Sequence, residues 1–175
     1  MKLTAWLGSI ALQVLIVGTA TPPIAKSGPG EDRLATQHFF CSTGYALDAC
    51  REQIATLKTV VAKFPTEALG PWTWVLVRSQ DWKQLTKMAG FSLDSPAFVS
   101  LDTRTTFVEE ALVVRVPGRS TELIRRWGMG TTDLLNTAVA HEMAHALCHS
   151  RDEDKATRLA GRLEKNNPIS CQSGL

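Results

Sequence analysis

The sequence lacks a strong charge of either sign: 19 Lys and Arg stand against 17 Asp and Glu, a formal net charge of +2. So even and dispersed a balance excludes nucleic acid as an expected partner. Arg119, Arg125 and Arg126 form one small basic cluster, which reads as a solvated face. The chain also lacks a second long apolar run after Leu3 to Val17, which argues against an integral membrane protein. No internal repeat or low-complexity tract is present. What remains is an ordinary globular composition, 44% hydrophobic and 21% charged, with enough chain for one domain and its core.

The apolar run follows Lys2 and is interrupted only by Thr4, Gly8, Ser9 and Gln13. Gly18-Thr19-Ala20 then offers the small residues a signal peptidase prefers, and Thr21-Pro22-Pro23 opens a polar stretch. Residues 1–20 therefore read as a signal peptide, with no stable membrane insertion after its removal and a secreted or periplasmic product; the run is short for a spanning helix, and an uncleaved anchor is the alternative. No cysteine lies near the cleavage point, so a lipoprotein is not expected. Residues 21–36, with Pro22, Pro23, Gly28, Pro29 and Gly30, read as a flexible mature N-terminus. Residues 37–175 then form the domain. The four cysteines, Cys41, Cys50, Cys148 and Cys171, all lie in it, and an even number in an exported chain implies two disulfides. Three pairings are open; the economical one joins Cys41 to Cys50 and Cys148 to Cys171.

The chemistry concentrates between Thr131 and Leu163, around His141-Glu142-Met143-Ala144-His145. On a helix, residues four apart share a face. Both imidazoles can then ligate one metal ion, with Glu142 beside them as general base. Leu134, Leu135, Ala138, Val139, Met143, Ala144 and Leu147 spread apolar surface around this helix, as burial demands. A buried helix carries two histidines and a glutamate at a cost unless they have partners. The plainer alternative is a helix with hydrogen-bonded or surface histidines. Thr131, Thr132 and Asp133 are its N-cap candidates after Gly128-Met129-Gly130. A catalytic site wants a third protein ligand, and His149, Asp152, Glu153 and Asp154 lie downstream. Cys148 is a rival donor, though it would crowd the histidine pair.

Elsewhere, Ile54, Leu57, Val60, Val61 and Phe64 mark the apolar face of a helix over 47–64, ended by Pro65. Residues 72–78 predict a buried strand whose two tryptophans pack in the core or, less simply, form a substrate platform. A short helix over 81–88 starts at the cap candidate Asp81 and stops at Gly90. Residues 97–101 and 105–116 predict a hairpin, 122–127 a short helix and 152–165 a last helix. The expected fold is α+β, a small and mainly antiparallel sheet packed against helices.

Two sequence features point to a family. The His141-Glu142-Met143-Ala144-His145 segment is followed by Glu153-Asp154-Lys155-Ala156-Thr157-Arg158-Leu159-Ala160, which resembles the E-x-x-A-x-x-x-A start of the second helix in gluzincin zinc peptidases. The metzincin pattern is excluded, because Cys148 and Arg151 stand where it needs Gly and His. The single small domain is similar to the minimal members of the clan, the minigluzincins. The resemblance implies a zincin-like fold, one Zn2+ on His141, His145 and Glu153, and hydrolysis of peptide or protein substrates with Glu142 as base. It also implies an edge strand beside the cleft, here 105–114, receiving an extended peptide; an ordinary sheet strand is the alternative. Many relatives carry Asp where this chain has Thr157, a carboxylate that orients a ligating histidine. Asp152 or Asp154 takes that part or complements the helix dipole. Larger gluzincins supply a His or Tyr for the oxyanion after the third ligand, and this chain has neither there. Tyr45, His38 and Arg104 are the remote candidates, and His149 either lines the cleft or meets the carbonyls at its helix end. The competing function is an inactive zinc-binding or protein-interaction module on the same scaffold.

Overall fold

The computed structural model describes residues 32–172. The signal peptide expected over 1–20 and most of the flexible segment expected over 21–36 lie outside the described residues. At the end of that segment Asp32–Leu34 form a 3-10 turn, and Leu34 packs against the core.

The fold is α+β, with five helices and a four-stranded sheet among the described residues. The strands are β1 (Gln37–Cys41), β2 (Trp72–Val77), β3 (Ala97–Ser100) and β4 (Thr105–Glu109), in the order β1-β2-β4-β3. The helices are α1 (Leu47–Val61), α2 (Ser79–Ala89), α3 (Arg119–Trp127), α4 (Thr131–Cys148) and α5 (Glu153–Leu163). The sheet is mixed rather than mainly antiparallel. β1 runs parallel to β2 and β2 parallel to β4, and only the β3–β4 hairpin is antiparallel. The reason is connectivity: α1 lies between β1 and β2, and such a crossover returns the chain in the same direction. β1 itself was not expected, since QHFFC is short and carries no alternation that identifies a strand.

The strand pleat sorts the sheet into two faces. Trp72, Trp74, Leu76 and Val108 meet α1, α4 and α5 in the main core, joined there by the five apolar residues read as the face of α1. The tryptophans are core residues, and their indole N–H groups donate to Thr106 Oγ1 at 3.0 Å and Gln37 Oε1 at 3.1 Å. On the opposite face Val77 and Phe98 pack with Trp82 of α2. β4 stops at Glu109, and Glu110–Leu112 turn as a 3-10 helix where a longer strand was expected. The edge strand beside α4 is consequently β3, not the 105–114 stretch, whose strand part, β4, lies inside the sheet between β2 and β3.

Several helix starts also differ from the sequence reading. Gly130 precedes α4 without a side-chain cap, so Thr131, Thr132 and Asp133 belong to its first turn. Arg78 occupies the N-cap of α2, and Asp81 instead accepts from Arg78 Nε at 2.8 Å. Gly90 does close α2, in the left-handed conformation at φ 77. The disulfides are Cys41–Cys50 and Cys148–Cys171. The first pins the end of β1 to the first turn of α1. The second ties the C-terminal tail to the last residue of α4. Among the described residues no helix is long and apolar enough to cross a membrane.

Candidate metal centre

Helix α4 is buried over most of its circumference, which is why its sequence shows no simple amphipathic stripe. His141 and His145 sit one turn apart on the side that faces the start of α5. Glu153 is the first residue of α5, so its place is set by where that helix begins. Asp152 sets that start: its carboxylate accepts from the Lys155 backbone N–H at 2.9 Å as the N-cap. The dipole-side reading of Asp152 is thereby realised, and Cys148 is committed to its disulfide rather than to the site.

His141, His145 and Glu153 form a group that can hold a metal ion. Their donor atoms draw a small triangle. His141 Nε2 lies 3.0 Å from Glu153 Oε2, His145 Nε2 lies 3.5 Å from the same oxygen, and the two Nε2 atoms are 3.1 Å apart. A tetrahedral ion with bonds of about 2.0–2.1 Å requires ligand–ligand edges of about 3.4 Å. The observed edges bracket that value, so the residues fit an ion with three protein ligands and one open corner.

The turn after α4 orients one ligand. His149 takes the left-handed conformation, φ 44, and its N–H bonds the Ala146 carbonyl at 3.3 Å. The Ser150 N–H bonds the His145 carbonyl at 3.1 Å, completing a Schellman termination. The chain reversal also carries the Ser150 carbonyl to His145 Nδ1, at 2.6 Å. Since a carbonyl only accepts, Nδ1 bears the proton, and the Nε2 lone pair is left for the ion. This orienting contact comes from a backbone atom, which no residue-type pattern reveals. His141 is held below the ordinary histidine range chiefly by burial, with the neighbouring Glu153 opposing, and the neutral ring is the form that ligates.

Glu142 follows His141 on α4 and lines the same cleft as the pair. It is 7% exposed, and burial, then the charge of Glu153, pushes its carboxyl up to about 8. The backbone N–H of Val99 on β3 works in the opposite sense. A divalent cation on the adjacent triad would add to that lowering.

The triad and Glu142 line a cleft of about 830 Å³, bounded by β3, α4 and the α4–α5 turn. Of the remote candidates, none lines it. Tyr45 stands beside Glu110, Arg78 and Asp81 at the start of α2, where burial raises its hydroxyl pKa. His38 lies on β1, at the far edge of the sheet from β3. The Arg104 guanidinium donates to the Pro71 carbonyl at 2.9 Å and to that of Leu69, and it stacks on Trp72. His149 is exposed and terminates α4 rather than lining the cleft. Among the described residues Arg151 is the single Lys or Arg that lines it, with its guanidinium 3.1 Å from Asp102. Thr157 lines it too, in place of the expected carboxylate. The sequence signal for Arg151 was only its nearness to Glu153.

Compared with known proteins, the chain matches no family model, no curated protein sequence and no solved structure.

Proposed function

We propose that the protein is an exported zinc-dependent endopeptidase of the gluzincin type. The observation that carries this reading is Glu142: a buried carboxylate without a cationic partner, set beside a three-donor site with one open position. A purely structural zinc is closed by four protein ligands and has no use for a base. The set of two imidazoles and one carboxylate suits zinc. When bound, zinc supplies Lewis acidity, polarising the scissile carbonyl and lowering the pKa of water.

The chain's own residues account for the remaining requirements. Glu142 accepts a proton from the attacking water and delivers it to the leaving amine nitrogen, so the amide and water become an acid and an amine. Glu142 is the carboxylate beside the triad that is placed for both transfers. β3 presents the substrate edge. In the antiparallel register Phe98 pairs with Phe107, and the Glu109 N–H bonds the Pro96 carbonyl at 2.9 Å. By alternation the N–H and C=O groups of Ala97 and Val99 turn to the unpaired edge, the side on which an extended peptide would add. Val99 is the residue whose N–H faces Glu142, so the bond to be cut lies near its register. Arg151 is the cleft cation available to a developing oxyanion. Two disulfides support an oxidising, exported setting.

The test is zinc content and peptide cleavage for wild type and Glu142→Gln. Loss of cleavage by about 10²–10⁴-fold with zinc retained supports the enzyme. A second reading, a zinc-binding module without turnover, is favoured by the absence of any tyrosine or non-ligand histidine from the cleft lining. Full zinc occupancy with no cleavage of any peptide in a broad library would establish it instead.

A further inference from the structure

The cleft does not end at the metal centre. It continues over the top of β3 to the opposite face of the sheet, where Leu85, Ala89, Phe91, Phe98, Phe107 and Trp127 line it. Three of these rings form a continuous stack: Phe91 to Phe98 at 4.4 Å between centroids, and Phe98 to Phe107 at 4.9 Å. The outer rings are not fully covered. Phe91 is 40% exposed and Trp127 43% exposed, although aromatic rings favour burial. The wall is held in place by polar contacts. Asp94, in the loop between α2 and β3, pairs with Arg126 at 2.5 Å, and its carbonyl accepts from Trp127 Nε1 at 3.3 Å. Nearby, the Leu93 carbonyl accepts from Arg119 Nη2 at 3.1 Å.

The pleat relates the two halves of the cleft. A peptide strand added to the free edge of β3 alternates its side chains between the two sheet faces. Residues directly across from each other on neighbouring strands share a face. The peptide residue opposite Val99 therefore directs its side chain to the α4 side, by Glu142 and the triad. Its neighbour opposite Phe98 directs its side chain to the α2 side, against the aromatic stack.

We infer that this aromatic recess is a specificity pocket: the substrate is an extended peptide with a bulky apolar side chain, best an aromatic one, within two residues of the cleaved bond. The inference rests on the peptidase reading for its cleavage site, but its recognition step is independent of turnover. Phe91 is the selecting residue that can be changed without opening the core, since Phe98 is buried and Phe91 lies on the rim.

The experiment uses the full chain loaded with zinc, as wild type, Phe91→Ala and Phe91→Leu. The probes are acetylated, amidated peptides in which one position at a time is Phe, Leu, Asp or Gly. Binding is read by calorimetry on the Glu142→Gln background, and cleavage sites by mass spectrometry on the active background. The expected result is that Phe at one position binds about tenfold or more tightly than Gly there. In Phe91→Ala that ratio falls toward one, and Phe91→Leu restores part of it, with zinc content equal in all three. In cleavage, the preferred aromatic residue should fall within two residues of the cut. An aromatic preference unchanged in Phe91→Ala overturns the inference, as does a preference for Asp or Gly. If no peptide is cleaved but binding keeps its Phe91-dependent aromatic preference, the peptidase reading fails and the pocket stands. If cleavage occurs without such a preference, the pocket fails and the peptidase reading stands.

Discussion

Two corners of this molecule each bury a glutamate, and they treat it in opposite ways. Glu109, at the end of β4, is 0% exposed and is gripped by Arg119: Nε to Oε1 at 2.7 Å and Nη2 to Oε2 at 2.8 Å. The same guanidinium reaches Glu122 and the Leu93 carbonyl, so it locks α3 and the α2–β3 loop to the sheet. Glu142, at the α4–β3 corner, is buried to nearly the same degree with no cation beside it among the described residues. A buried carboxylate with a bidentate arginine is a fastening. One without a cation, next to three converging donors, fits the proposed proton-transfer group beside a site that can hold a cation.

The largest expected effect comes from breaking the fastened corner. Arg119→Ala leaves Glu109 buried and unpaired and should cost about 3–5 kcal/mol in urea unfolding, while Glu109→Met with Arg119→Leu together should be far milder. If the single variant is neutral, the two corners do not differ as described. Glu142→Gln should have the opposite sign in the metal-free protein. Folded Glu142 keeps its proton to about pH 8, whereas an unfolded glutamate loses it near 4.5, so the folded state holds the extra proton between those values. Wild-type stability therefore falls as pH rises, by on the order of 3 kcal/mol relative to Glu142→Gln between pH 4.5 and 7. His141, held low by burial, acts in reverse below about 6.5, and both proteins share that part. Denaturant curves at several pH values check it; parallel pH profiles would refute the unpaired state of Glu142.

Next in size is the Cys148–Cys171 link, which closes a separation of 23 residues. Replacing both cysteines by serine should lower stability by about 3 kcal/mol in the chain-entropy account, read by thermal melting. Because the link holds the turn that orients His145 and leads to Glu153, zinc affinity by chelator competition should fall with it. The smallest effect is Asp152→Ala, about 1 kcal/mol from the lost cap, with a measurable drop in zinc affinity because the first turn of α5 carries Glu153.

The metal-site corner was far more legible in the sequence than the fastened one. His141, Glu142 and His145 are tied by helical periodicity, and Glu153 lies a short turn away, so local spacing suffices to bring them together. The α1 face, the buried strand expected over 72–78 and the end of α2 at Gly90 were equally readable, because each depends on neighbours in the chain, whereas the cysteines left three pairings open, of which the observed one is the economical one. The strand order was not. β1 pairs with a strand 35 residues away, Gln37 against Trp72, and nothing local specifies that pairing or its direction. For the same reason β4 was taken for the edge, and Arg119 for part of a solvated face when it holds a buried carboxylate. The aromatic recess comes from α2, β3, β4 and α3, and only the folded sheet brings those rings together.

The turn that ends α4 has a consequence for how this chain can vary. The hydrogen bond that stops the helix and the one that selects the His145 tautomer join the same two residues, His145 and Ser150. Winding α4 one residue further would swing the Ser150 carbonyl into line with the helix axis and free the ring to rotate. An insertion between these two residues would break both bonds at once, so a change of loop length here should cost helix termination and ring orientation together.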